Sequence, residues 1–400
     1  MQDYLNKCLD KNEREKLLKD FLKKNNGDFS VDSMIQERIE SFKTSQNFDE
    51  KEANFDVKIC KNNMFLLRHE VSKIHTPLSD KKNLEYRIWR LSSSFNDADS
   101  ILNLGLFMYL QNAQISSIDN ALNTYAYHAL LGTNSSGYDN STFCYRAFLI
   151  AASNNFALLH ALFPLDSIPS VSFGALECGL LSNLFIFTLY KNSKNPNFKA
   201  KKFQEIIDKQ MQKALNKKKI WEVDKYLILC LKALSDGDFK GFSELLNDLC
   251  EAILKHDCKF KAPFALESLG LLNLARYIYP KLQFIEPNTE NIVDSITLPT
   301  AKNFPLGLYN YQKERDFKSG DLLFKYPPPL SLLNLFYEIN MPDVHIIRLE
   351  DEVKRDRAEM LEQYLKHSKR ALNAQIIDVN RFRNDVCENV LHLAKEKGVF

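Results

Sequence analysis

The stretch Leu227-Ile228-Leu229-Cys230-Leu231-Lys232-Ala233-Leu234-Ser235-Asp236-Gly237-Asp238-Phe239-Lys240-Gly241-Phe242-Ser243-Glu244-Leu245-Leu246 decides the fold class. After the turn, Phe239, Phe242, Leu245, Leu246, Leu249, Ile253 and Leu254 recur at three- and four-residue steps, which puts them on one face of a helix. Tyr226, Leu227, Leu229, Cys230, Leu231, Ala233 and Leu234 give the preceding segment a comparable apolar face. Gly237 can adopt the left-handed conformation that ends one helix, and Asp238 can cap the next. Two helices joined so tightly pack face to face and then against neighbours.

On either side of this hairpin, residues 263–278 predict a further apolar helix, and residues 198–219 an amphipathic one with Phe203, Ile206, Ile207, Met211 and Leu215 inward. Residues 141–163 and 171–190 are apolar nearly all round, as expected of helices at the centre of a protein. Upstream, residues 101–111 and 118–131 read as apolar helices, 84–91 as a short helix bearing Trp89, and 64–74 as another. The pattern is all-α, with layered helical hairpins in an α-solenoid-like or irregular bundle. No fixed period with signature residues supports a regular repeat array. Four regions result: a charged N-terminal helical region (1–76), a central helical-hairpin body (77–280), an irregular Pro-rich connection packed on that body (281–342), and a C-terminal helical arm (343–400). Phe304, Leu306, Leu308, Tyr309 and Tyr311 are what would pack the connection down. In the arm, a long charged helix is expected over 349–374 and a last helix over 379–397, forming a helical hairpin.

Composition narrows the function classes. Lys and Arg number 53 against 51 Asp and Glu, so global charge does not favour nucleic acid or a membrane surface. The opening residues lack a basic start followed by an apolar run, and the eight cysteines form no CxxC pair, so reduced thiols in a cytoplasm are expected. Residues 171–190 carry Glu177, a carboxylate that costs roughly 2.5–3.5 kcal/mol at a bilayer centre, so a buried helix is expected there.

Several residue sets bear on chemistry. Pro342-Asp343 followed by Glu352-Val353-Lys354 contains the elements of a restriction-type nuclease site, in which two carboxylates hold Mg²⁺ and the lysine orients the attacking water. Residues 344–349 could form its strand, but such a site needs both elements on a β-hairpin, and Glu352-Val353-Lys354 lies in helical sequence. Cys250, His256 and Cys258 offer three zinc ligands without a fourth, and Cys250 fits the apolar face of its helix. His256-Asp257 lacks the upstream histidine of a metal-dependent phosphohydrolase. His69, His75, His128, His160, His345, His367 and His392 are isolated in sequence, and phosphate-loop and nucleophile-elbow motifs are absent. The expectation is therefore no catalytic residue, no cofactor and no metal. The remaining candidate is Lys199, Lys202, Lys209, Lys213 and Lys217, a cationic strip that could dock an acidic protein or nucleic acid.

The hairpin also carries a resemblance. Leu231-Lys232-Ala233-Leu234, Gly237-Asp238, Phe242, Leu245-Leu246, then Ala265-Leu266 and Leu271-Leu272-Asn273-Leu274-Ala275, with Tyr145-Arg146-Ala147 and Ala151-Ala152 upstream, resemble the all-helical immunity proteins of bacterial polymorphic-toxin systems, class forty-nine. The resemblance covers the middle half of the chain and leaves the N-terminal region and the tail beyond residue 339 unaccounted for. It implies a cytoplasmic antidote that binds a cognate toxin domain without catalysis, and it transfers no contact residues. The alternatives are a helical scaffold or adaptor of another system, and the Mg²⁺-dependent nuclease using Asp343, Glu352 and Lys354.

Overall fold

Gly237 takes φ 77° and ψ 18°, the left-handed conformation required of it, and the Asp238 carboxylate accepts a hydrogen bond from the Gly241 amide at 2.9 Å. The expected hairpin forms around these two residues. In this computed structural model the described residues are 8–24, 30–46, 95, 97–133, 137–171, 174–217, 219–256, 261–287, 295–300, 302–327, 330–356, 358–368 and 371–398. The helices expected over 64–74 and 84–91, and Asp257, Cys258, His69 and His75, lie outside them.

In chain order the α-helices are α1 (Lys11–Lys24), α2 (Val31–Gln46), α3 (Ala98–Asn112), α4 (Ile115–Leu131), α5 (Ser141–Ala152), α6 (Phe156–Leu162), α7 (Leu176–Tyr190), α8 (Ala200–Leu215), α9 (Glu222–Asp236), α10 (Phe239–His256), α11 (Leu266–Ile278), α12 (Leu306–Glu314), α13 (Leu349–Asp356), α14 (Leu361–Ser368) and α15 (Val379–Glu396). Four strands of three residues each join them: β1 (Gln283–Ile285), β2 (Ser295–Thr297), β3 (Ile346–Arg348) and β4 (Gln375–Ile377). The fold is all-α with minor strand pairings. The chain divides into two units: Met1–Gly27, Ala98–Leu130 and Tyr138–Leu323 form one; Asp28–Asp97, Leu131–Gly137 and Phe324–Phe400 form the other. Their limits differ from divisions drawn at residues 76, 280 and 342.

In the first unit, α7 is the hub, packing against α5, α8 and α9, while α9 pairs with α10 and α5 with α11. An apolar circumference buries α7 on all sides, as its sequence predicts. Phe148 of α5 and Phe163 meet Phe185 of α7 at ring-centroid separations of 5.1 and 5.7 Å. The α5–α11 crossing depends on Gly270, where an added Cβ would lie 2.0 Å from the Phe148 carbonyl oxygen. Phe21 of α1 stacks on Phe107 of α3 at 5.0 Å.

Three expectations change here. The single helix over 141–163 is two, because Asn154 adopts φ 59° and the Asn155 side chain then caps α6 by accepting from the Leu158 amide at 3.3 Å. α7 begins at Leu176, leaving Val171 exposed, and α4 begins at Ile115. The 281–342 connection is more regular than expected. β1 and β2 pair in parallel, with Phe284 opposite Ile296, and α12 follows. Phe304, Leu308 and Tyr309 are buried as the packing argument requires.

A buried polar network fastens the 306–323 segment to α4 and α5. Asp119, fully buried, accepts from the Gln312 amide at 3.0 Å and pairs with the Arg315 guanidinium. Gln312 also donates to the Ala152 carbonyl at 2.9 Å and accepts from Asn273 at 3.1 Å. Asn123 donates to the Gly320 carbonyl at 2.7 Å. Burial pushes the Asp119 carboxyl up from its ordinary range, against the opposing pull of Gln312 and Arg315.

In the second unit, Arg38 of α2 pairs with Asp97 and sits 5.4 Å from the centre of the Tyr326 ring, while Phe95 packs against Phe336 at 5.1 Å. The expected helix over 349–374 is broken into α13, α14 and two short 3-10 turns. The chain must return so that β4 can lie antiparallel to β3, with Ile347 opposite Ile376, and bury Ile376 and Ile377. Arg355 at the end of α13 grips Asp378 through bonds of 2.6 and 2.8 Å, and Asp378 in turn caps α15. The C-terminal region thus stays mainly helical, with α13, α14 and the short β3–β4 pairing in place of one continuous helix, and α15 falls where the last helix was expected.

Candidate partner-binding surface

Helix α8 owes its place to Phe203, Ile207 and Ala214, which are buried, while Gln210 reaches inward to bond Asn183 of α7 at 2.8 Å and the Ser170 carbonyl at 3.0 Å. Beside that buried face runs the lysine strip. Lys199, Lys202, Lys209, Lys213 and Lys217 fall at steps of three, seven and four residues, close to whole helical turns. All five are exposed. Lys199 precedes the helix, and Lys217 follows it. The structure thus brings the five sequence candidates together along one edge of α8. Glu205 and Asp208, also exposed, share the outer surface of the helix.

The strip ends in a more structured corner. Lys217 forms an ion pair with Glu177 in the first turn of α7 at 2.5 Å. Partial desolvation would raise the Glu177 carboxyl, but the Lys217 bond and charge outweigh it and hold the group below its ordinary range. Four residues beyond Lys217, Trp221 precedes α9 and remains 46 % exposed, its edge toward the Tyr145 ring at 6.3 Å. Tyr145 donates its hydroxyl to Asp224, whose carboxyl is raised by burial. The half-buried phenol is itself pushed up, first by desolvation and then by the Asp224 charge. The corner therefore presents a large aromatic side chain beside a half-buried polar pair, at the end of a row of ammonium groups. Trp221 was not singled out from sequence as a surface group. No local pattern marks it, because its setting depends on Tyr145 of α5, distant in sequence.

Comparison with known proteins finds no matching family model, curated protein or solved structure.

The other sequence candidates are not assembled into one site. Asp343 is exposed ahead of β3, whereas Glu352 is buried on α13 and Lys354 pairs with Glu350 at 2.6 Å on the same helix. The expected strand forms at β3, but Glu352-Val353-Lys354 occupies a helix rather than the second strand of a hairpin. Cys250 lies on the buried face of α10, where desolvation pushes its thiol up to about 12. His256, the last residue of α10, meets Glu222 at 2.5 Å. Among the described residues no group of three or more His, Cys, Asp or Glu side chains is placed to hold a metal ion. Among them, no helix is long and apolar enough to cross a membrane.

Proposed function

We propose that this chain is a non-catalytic protein-binding protein, most concretely a bacterial immunity protein that binds and neutralises a cognate toxin domain in the cytoplasm. The observation that carries the proposal is the α8 lysine strip leading to the half-exposed Trp221. A helix of 16 residues is about 24 Å long, enough to form one axis of a protein interface of ordinary size. Aromatic anchors such as Trp carry much of the energy of such interfaces, and aligned charge mainly raises the association rate. The occupant fitting this chemistry is an acidic protein surface with an apolar recess for Trp221. Nucleic acid fits less well, because net charge is only +2 and Glu205 and Asp208 share the exposed side of α8.

The direct test is co-purification with the C-terminal domain of a toxin encoded immediately upstream, together with rescue of cells expressing that domain. Success in both supports the immunity reading; failure of both sinks it. Lys209→Glu with Lys213→Glu should lower the association rate about tenfold or more at low salt and flatten its salt dependence. An unchanged association rate would remove α8 from the interface.

A further inference from the structure

His160 of α6, isolated in sequence, is not isolated in space. Its Nδ1 lies 2.7 Å from the Tyr190 hydroxyl oxygen and its Nε2 lies 2.8 Å from that of Tyr277, which is 117 positions away. Proton bookkeeping orders this chain. Tyr190 donates its single hydroxyl proton to the buried Phe163 carbonyl at 2.5 Å, so its oxygen receives the Nδ1–H of His160. In the neutral imidazole Nε2 then carries a lone pair, and Tyr277 donates to it. Tyr190 is buried, while Tyr277 is 45 % exposed and stacks flat on Phe156, with ring centroids 4.0 Å apart and planes 7° from parallel.

We infer that Tyr277 is a nucleophilic phenol served by His160 as general base, forming an acyl-acceptor site for an activated carboxylic ester. The arrangement satisfies the three-part logic of an activated nucleophile: a hydroxyl, a base within hydrogen-bond reach, and a third group orienting the base. Phe156 stacks on the Tyr277 ring while the residue stays 45 % exposed, and Tyr190 is a positioning residue tied to main chain. In the acyl-transfer step, Tyr277 Oη attacks the ester carbonyl carbon and the Oη–C bond forms. The bond to the leaving phenolate breaks, the phenolic proton passes to His160 Nε2, and the imidazolium releases it to water. The product is one acyl group per chain; no turnover is implied. The inference is independent of the lysine strip and of the immunity reading.

The full chain treated with p-nitrophenyl acetate, followed by peptide mapping, provides the test. Tyr277 should be acetylated about 10²-fold or more faster than Tyr226 or Tyr311, the range general bases supply. His160→Gly should abolish that advantage, and added imidazole should restore it at Tyr277 but not at Tyr226, an effect a merely structural histidine would not produce. Equal acetylation of Tyr277, Tyr226 and Tyr311 in the unaltered chain overturns the inference, whether or not the variant folds. So does a folded His160→Gly protein that keeps the wild-type rate.

Discussion

Replacing Arg315 with Met keeps most of the aliphatic stem but removes the charge that faces Asp119. Asp119 is fully buried, and the Arg315 side chain is about one-third exposed. Leaving one member of a buried ion pair unpartnered costs about 3–5 kcal/mol; partial exposure of the arginine places the expectation near 3 kcal/mol. Gln312 still donates to the carboxylate and keeps the loss from growing further. The pH dependence follows from the raised Asp119 carboxyl. The unfolded chain releases this proton in the ordinary carboxylate range and the folded chain at higher pH, so between the two the folded state holds more protons. Its ionisation therefore reduces stability as pH rises through that window. Loss of Arg315 raises the folded-state value further and extends the window upward, so the Arg315→Met penalty should be largest near pH 7 and smaller near pH 4.5. Trp221 is one of two tryptophans and belongs to the first unit, so its fluorescence in a Trp89→Phe background reports that unit's urea unfolding. With a slope of about 2–3 kcal/mol/M, the midpoint should fall by about 1–1.5 M at pH 7. In an Asp119→Asn background the same arginine change should cost only about 1 kcal/mol. An equal loss in both backgrounds, or at both pH values, would refute the assignment of this energy to the buried pair.

Other substitutions probe different features. Gly270→Ala should destabilise by about 1–3 kcal/mol because its Cβ would meet main chain of α5 rather than a flexible side chain, and a chemical-denaturation curve would register the change. Asp238→Ala removes the α10 cap and should cost about 1 kcal/mol, with faster amide exchange at the start of that helix; unchanged exchange there would contradict the capping role. Arg355→Met should loosen the β3–β4 end of the second unit by breaking its double bond to Asp378, and hydrogen exchange at Ile376 and Ile377 is the appropriate readout.

The hairpin at Gly237 was legible because everything that shapes it is local: apolar spacing on both sides, a left-handed glycine and an adjacent cap. The lysine strip was legible for the same reason, since helical spacing alone aligns it. The break in the 141–163 helix had a local signal in Asn154-Asn155, two residues suited to positive φ and to capping, but the surrounding apolar run outweighed it. The break in 349–374 had a weaker one. Glu and Lys spacing favours a continuous helix, and only the pairing of β4 with β3 makes the chain leave it. The Asp119–Gln312–Arg315 network and the His160–Tyr277 pair join residues more than a hundred positions apart, so no window of sequence contains them.

The chain passes from one unit to the other after residues 27, 97, 130, 137 and 323. On a ribosome this ordering matters. Ile35 and Ile39 of α2 are synthesised before most of the first unit, but the second unit's later segment, residues 324–400, is synthesised only after all of it. That unit cannot complete its own core co-translationally before then, while the first unit has all its segments once residue 323 has emerged. The nascent chain should thus fold in two stages out of sequence order, with an early apolar segment held in reserve, and a ribosome-bound truncation after residue 323 should protect α9–α11 from protease while leaving α2 open to cleavage.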